Sequence, residues 1–271
     1  MPLTPDRSLA QALEGAEAAA CRMFCETAAA VHPGKGIRCI SCGGGFGLFY
    51  GPGDPLNAVK GVGLNGPVEM GEWEVLEEQF RSSGSPVVVD LCSLADEAFA
   101  AELGRRGYRI GSFETVLFRS LEDALPQSRA VPGCRIAQVG AAEAVVWGRT
   151  IDAGFADGGE PMKFSVDFGA VRARLAGSVM LLATVDGVPA GAAGFSVQGT
   201  VAHMNGAAVL PAYRRRGIQT ALTAARLSMA KERGCAVAKL DVQAGSISHR
   251  NAARAGFMVA YTRPQLVRAW T

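Results

Sequence analysis

Polar and apolar positions near the start of the chain alternate with helical spacing, predicting a helix from about Ser8 to Ala30. Short apolar runs bounded by Gly and Pro then predict strands near Ile37–Ser41, Gly47–Tyr50 and Ala58–Leu64, followed by a helix over Met70–Ser82. Pro86–Leu91 reads as a buried strand. A helical stretch from Ala95 to Arg106 follows, then a strand pair, Gly107–Ile110 and Glu114–Arg119. Further on, strands are predicted at Cys134–Val139, Val179–Asp186, Ala190–Val197, Val201–Val209 and Ala236–Val242. Helices are predicted near Ala142–Phe155, Phe168–Leu175, Gly217–Arg233 and Ala252–Ala255, and a second strand pair at Gly256–Val259 and Gln265–Arg268. The long helix rests on Ile218, Leu222, Ala225 and Met229, spaced four, three and four apart, with Gly234 as its stop. Adjacent strands followed by strand–helix alternation give an α/β class with mixed sheets and helices on their faces.

Residues 123–133 carry two prolines and little periodicity, and read as a linker between domains 1–122 and 134–271. Both halves close in the same order: a strand, a helix, then Gly-aromatic and a strand pair. Gly107 to Arg119 spans the same interval as Gly256 to Arg268, and Leu117 matches Leu266. This is the pattern of a tandem duplication.

Composition narrows the class. With 49% apolar and 19% charged residues in 271, the chain has material for two cores and is not a disordered polymer. A net charge of +2 gives no footprint for bulk nucleic-acid binding. The longest apolar runs, such as Val179–Ala183, are far short of a membrane span, and Asp6, Glu14 and Glu17 interrupt any secretory signal, so the sequence reads as soluble and cytoplasmic. Seven cysteines, an odd number, are read as reduced thiols. Cys21, Cys25, Cys39 and Cys42 have a spacing that could hold zinc. However, the first two share a helix face and the others flank Ile40 in a strand, which fits small buried side chains, and no metal ligands are assigned.

The chemistry concentrates in Ala207-Ala208-Val209-Leu210-Pro211-Ala212-Tyr213-Arg214-Arg215-Arg216-Gly217-Ile218-Gln219-Thr220, a strand, a basic turn and a helix start. Backbone N–H groups converge at such a helix start and the helix dipole adds to them, forming an anion site for pyrophosphate that neighbouring arginines reinforce. Three arginines alone would read as a solvated helix cap. Arg-x-x-Gly-x-(Gly/Ala) between strand and helix reads as more.

These residues, with Arg250-Asn-Ala-Ala-Arg-Ala-Gly-Phe257, make residues 135–270 resemble the GNAT superfamily of acyl-CoA-dependent N-acyltransferases. The first half resembles a degenerate copy that has Gly66-Pro67-Val68-Glu69 where the basic loop belongs. The resemblance implies tandem GNAT-like domains and, in the second, transfer from acetyl-CoA to a primary amine of a small molecule by direct attack. It also implies that Ala207, Ala208 and Val209 pair with the pantetheine arm, that Arg214, Arg215, Arg216, Gly217, Ile218, Gln219 and Thr220 cradle the pyrophosphate, and that Asn251 and Ser248 lie near the thiol end. Gln219 departs from the motif's small residue, and Ala252 stands where many members carry a proton-donating tyrosine.

His203 is the candidate base, placed where histone-type relatives carry a glutamate and with a pKa suited to the task. Simple alternation puts it on one face with Asn205, Ala207 and Val209, unless a bulge intervenes. Tyr261 is the candidate acid and His249 a second histidine to test. Asp241 matches Asp90 of the half without the loop and so reads as structural. The acidic stretch Asp152–Glu160 could attract an amine. A non-catalytic acyl-CoA-binding or sensory module and a zinc-structured adaptor are the competing classes.

Overall fold

Asp6 starts the first helix: its carboxylate accepts the Leu9 amide at 2.8 Å, and α1 (Arg7–Val31) runs on with Leu9, Leu13, Phe24 and Cys25 buried. The computed structural model describes residues 5–127, 129–156, 159–160 and 167–270. The other elements are β1 (Arg38–Cys42), β2 (Gly45–Phe49), β3 (Ala58–Lys60), α2 (Met70–Arg81), β4 (Val87–Asp90), α3 (Glu97–Arg105), β5 (Arg109–Ser120), β6 (Cys134–Val139), α4 (Ala144–Phe155), α5 (Phe168–Arg174), β7 (Ser178–Val185), β8 (Val188–Gln198), β9 (Val201–Val209), α6 (Ile218–Glu232), β10 (Val237–Val242), α7 (Ile247–Arg254) and β11 (Met258–Arg268). This is the mixed α/β architecture that the strand–helix order predicts. Among the described residues no helix is long and apolar enough to cross a membrane.

Contacts divide the chain into two compact units. The first comprises Met1–Leu117, Asp241–His249 and Val259–Thr271, the second Phe118–Leu240 and Arg250–Met258. The last strand of the chain is therefore built into the sheet of the first half. Sequence spacing marks where a strand is, not which strand it joins.

In the first unit the strand order is β1-β2-β3-β4-β11-β5. β11 runs antiparallel to β4, with Leu266 opposite Val89 and Arg268 opposite Val87. Trp73, Phe80, Val89, Phe99, Leu103 and Tyr108 form its core, with Trp73 edge-on to Phe99 at 5.0 Å between centroids. A buried ionic cluster lies in the same unit. Arg263 of β11, 1% exposed, donates to Glu14 at 3.0 Å, Glu17 at 2.7 Å and Glu114 at 2.9 Å, and Lys60 bonds Glu17 and Asp90.

The second unit has the order β10-β9-β8-β7-β6. β6 to β9 are antiparallel neighbours, whereas β10 lies parallel to β9 after the α6 crossover, placing Lys239 opposite His203. Helix α4 covers one face, where Trp147 and Ile151 pack on Ala192 and Ala208. Helix α6 covers the other, where Leu222 approaches Gly191.

The two predicted strand pairs are corrected: each is a single long strand, β5 and β11. Gly111 lies within β5, and its missing side chain serves close packing. A Cβ there would meet Val267 Cγ2 at 2.9 Å.

Candidate functional site

Strand β9 leads into the site, and it is not regular. Ala193 of β8 faces Ala207, but Gly194 faces Asn205, so Gly206 is an extra residue, with φ at 48°. Directly opposed residues share a sheet face, so His203, Asn205 and Ala208 line up on the α4 face, while Met204, Ala207 and Val209 face α6. The alternation that grouped His203 with Ala207 and Val209 is thereby corrected, because one inserted residue exchanges the faces of everything beyond it.

After β9 the chain makes a short 3-10 turn, Pro211–Tyr213, and enters α6 through two residues with positive φ, Arg215 at 62° and Gly217 at 87°. Gly217 is the N-cap, in the left-handed region that glycine adopts without strain. Ala221 N–H bonds to the Gly217 carbonyl, so the amides of Ile218, Gln219 and Thr220 precede the first helical bond and have no intrahelical acceptor. The positive end of a fifteen-residue helix thus meets exposed Arg215 and Arg216, with Arg216 5.2 Å from the Tyr213 ring centroid. The predicted C′ glycine is also in place: Gly234 has φ 78° and follows the last turn.

The three arginines are not equivalent. Arg214 folds back, its Nε donating to the Val209 carbonyl at 3.1 Å and its Nη2 to that of Gly154 at 3.0 Å. It tethers the end of β9 to α4, which leaves Arg215 and Arg216 as the outward-facing cations.

His203 is buried, opposite Ser196 on β8 and Lys239 on β10, and Lys239 is itself fully buried. Asn205 beside it donates to the His203 carbonyl at 3.2 Å and accepts from Arg172 of α5. Tyr261 lies in the first unit. Its hydroxyl bonds Glu14 at 2.7 Å, and burial followed by the Glu14 charge pushes its phenol far up, a poor setting for a proton donor. Asp90 and Asp241 approach Arg263 at 3.7 and 3.6 Å. Ser248 is exposed in the first turn of α7, and Asn251 accepts from Arg254 at 3.1 Å. His249 Nδ1 accepts the Gly245 amide at 3.1 Å and so closes the turn before α7. In the acidic stretch, burial and then Asp167 raise the carboxyl of Asp152, Glu160 is exposed, and Asp157 lies outside the described residues.

Among the described residues, Cys21, Cys25, Cys39 and Cys42 do not bring three sulfurs within 4.8 Å of one another. Burial pushes the Cys25 and Cys42 thiols up to about 12, which opposes the thiolate form a metal needs. In the first unit, β3 and α2 flank the position corresponding to the basic loop. Helix α2 begins with Glu69 as N-cap and Glu72 in its first turn, and Glu72 accepts the Gly43 amide at 3.0 Å. Carboxylates there repel a phosphate.

Two residues of the second unit lay outside the sequence reading, Arg172 and Arg226, both 4% exposed. For Arg226 a signal existed: it stands four residues after Leu222, on the buried stripe.

The family model for the acetyltransferase (GNAT) family matches residues 154–257. In structure the chain is similar to a GCN5-related N-acetyltransferase from Kribbella flavida, with 21% identity and a TM-score of 0.64 over 93% of this chain and 96% of that one. It is also similar to a tandem GNAT protein from the clavulanic acid biosynthesis pathway, with 17% identity and a TM-score of 0.61 over 98% and 96%. A GCN5-related N-acetyltransferase from Sphaerobacter thermophilus gives 16% identity and 0.58 over 74% and 66%. No curated protein matches the sequence.

Proposed function

We propose, from the match of residues 154–257 to the GNAT acetyltransferase family model and the likeness of the fold to a tandem GNAT protein, that the second unit transfers an acetyl group from acetyl-CoA to a primary amine of a small molecule. The observation that carries this reading is the start of α6, where Gly217, the amides of Ile218 to Thr220 without an intrahelical acceptor, and the exposed Arg215 and Arg216 lie together at the positive end of the helix. Pyrophosphate held there directs the pantetheine arm along Ala207, Ala208 and Val209 toward the bulge.

The amine nitrogen attacks the thioester carbonyl carbon, a tetrahedral intermediate forms, the C–S bond breaks and coenzyme A leaves as its thiolate. The nitrogen must lose a proton on the way. His203, buried in register with Ser196 and Lys239, is the proposed acceptor. No phenol is assigned to the leaving group, since Ala252 has none and Tyr261 is held by Glu14. A thiol of ordinary pKa, roughly 8.5, leaves without a strong acid.

Thioester consumption measured with a panel of amines tests the reading. Turnover with one or more amines is the expected result. Saturable acetyl-CoA binding without turnover on any amine would instead favour the non-catalytic module, to which the lack of an assigned acid points. His203→Ala is expected to lower kcat about 100-fold, with the loss smallest at high pH where the amine is already neutral. Unchanged turnover across pH would remove His203 from the mechanism.

A further inference from the structure

Helix α6 carries one residue out of keeping with its position. Ile218, Leu222, Arg226 and Ala230 follow one another at four-residue spacing and are all buried, so a guanidinium occupies a core position. Among the described residues no carboxylate pairs with Arg226, and burial alone pushes its guanidinium down to about 10. Its Nη1 donates to the Gly194 carbonyl at 3.4 Å, its Nη2 to Thr223 Oγ1 at 3.4 Å, and its Nε has no partner. An apolar side chain of similar volume would fill this place at lower cost.

Gly194 is the residue at which the β8–β9 register slips. From the opposite face of the sheet, Arg172 donates to Asn205 Oδ1, and Asn205 is the partner of Gly194 across the slip. A Cβ on Gly194 would meet Arg172 Nη2 at 2.9 Å, so the glycine is needed for this approach. Buried arginines from α5 and α6 therefore hold the two sides of one bulge.

We propose that Arg226 is a positioning residue: it fixes the Gly194 carbonyl and so sets the register slip that aims the backbone of Ala207 to Val209 at the acyl donor. This rests on the acetyl-transfer reading for its second half only. If the extra residue moved along β9, the residues it passed would exchange faces, and the strand offered to pantetheine would change.

The test compares wild type with Arg226→Met and Arg226→Lys by melting, by amide hydrogen exchange of the ligand-free protein and by acetyl-CoA titration. Arg226→Met is expected to melt at or above the wild-type temperature, because a costly buried charge is gone. Exchange at Gly206 to Val209 is expected to rise roughly tenfold while the α6 amides stay protected. Acetyl-CoA affinity should fall about tenfold, with partial recovery in Arg226→Lys. Wild-type exchange at Gly206 to Val209 in Arg226→Met would overturn the proposal. So would a lower melting temperature with faster exchange along α6, the mark of a packing role. Failure of the wild-type protein itself to bind acetyl-CoA would overturn the function reading, and the exchange comparison would still decide what holds the bulge.

Discussion

Arg214 and Arg226 show how a side chain's type can be read from sequence without its job. Arg214 stands in a run of three arginines that all look like phosphate ligands, but its fork bonds the carbonyls of Val209 and Gly154. Arg226 stands beside alanines on a helix, and the buried stripe through Ile218 and Leu222 leads straight to it. Neither assignment is available from charge or spacing alone, because each depends on which carbonyls the fold leaves within reach. The cysteines were legible in part: small, weakly polar side chains on apolar faces are expected inside, which holds for Cys25 and Cys42, whereas Cys21 and Cys39 are half-buried. Cys25 and Cys42 are 0% and 2% exposed, and their thiols are pushed from 9.0 up to about 12, by burial first and then by Cys39 and Glu72 respectively. At pH 7.5 a thiol-alkylating reagent should leave both unmodified in the native protein and modify both after unfolding; rapid native labelling would contradict that. The sign for stability follows. The folded thiols hold their protons above the unfolded value of 9.0, so their contribution is constant below pH 9 and is lost as pH rises toward 12.

At the scale of elements, α6 was legible almost residue by residue, from the break at Gly217 to Gly234, since helical spacing and a C′ glycine are local signals. The bulge in β9 was not. A single inserted residue leaves the hydrophobic pattern nearly intact, and only the β8 partner reveals that Gly206 has none. Gly217 is the element's weak point. Gly217→Val forces a β-branched residue to φ near 87°, at a cost of about 1–3 kcal/mol. A Cβ there would meet Val131 Cγ2 at an ordinary 3.5 Å, so the cost is one of backbone conformation. The variant should melt lower and bind acetyl-CoA more weakly, by about tenfold or more, as the amides lose their convergence. Wild-type affinity in a folded Gly217→Val protein would show that the cradle is not at the α6 start.

For the whole molecule, duplication was visible in the matched closing segments, but the placement of β11 in the first unit was not. Parallel closing patterns suggest that each half keeps its own last strand, and the pairing of Leu266 with Val89 shows otherwise. A chain ending at Phe257 should therefore lose the packing of the first unit. It lacks the strand beside β4 and leaves Glu14 and Glu17 buried without Arg263, a loss of about 3–5 kcal/mol for one broken buried pair. Limited proteolysis should then cut within residues 5–117 at sites protected in the full chain; unchanged protection would contradict this pairing.

The proposed acyl-CoA site lies at the start of α6 and not of α2, which offers Glu69 and Glu72 where α6 offers Arg215 and Arg216. Calorimetric titration of acetyl-CoA into the full chain and into the Arg215→Glu/Arg216→Glu double variant tests it most directly. One site per chain is expected in the wild type, with a loss of affinity of about 30-fold or more in the variant, from reversed charge at a helix N-terminus. Two sites per chain, or binding untouched by the double substitution, would contradict it.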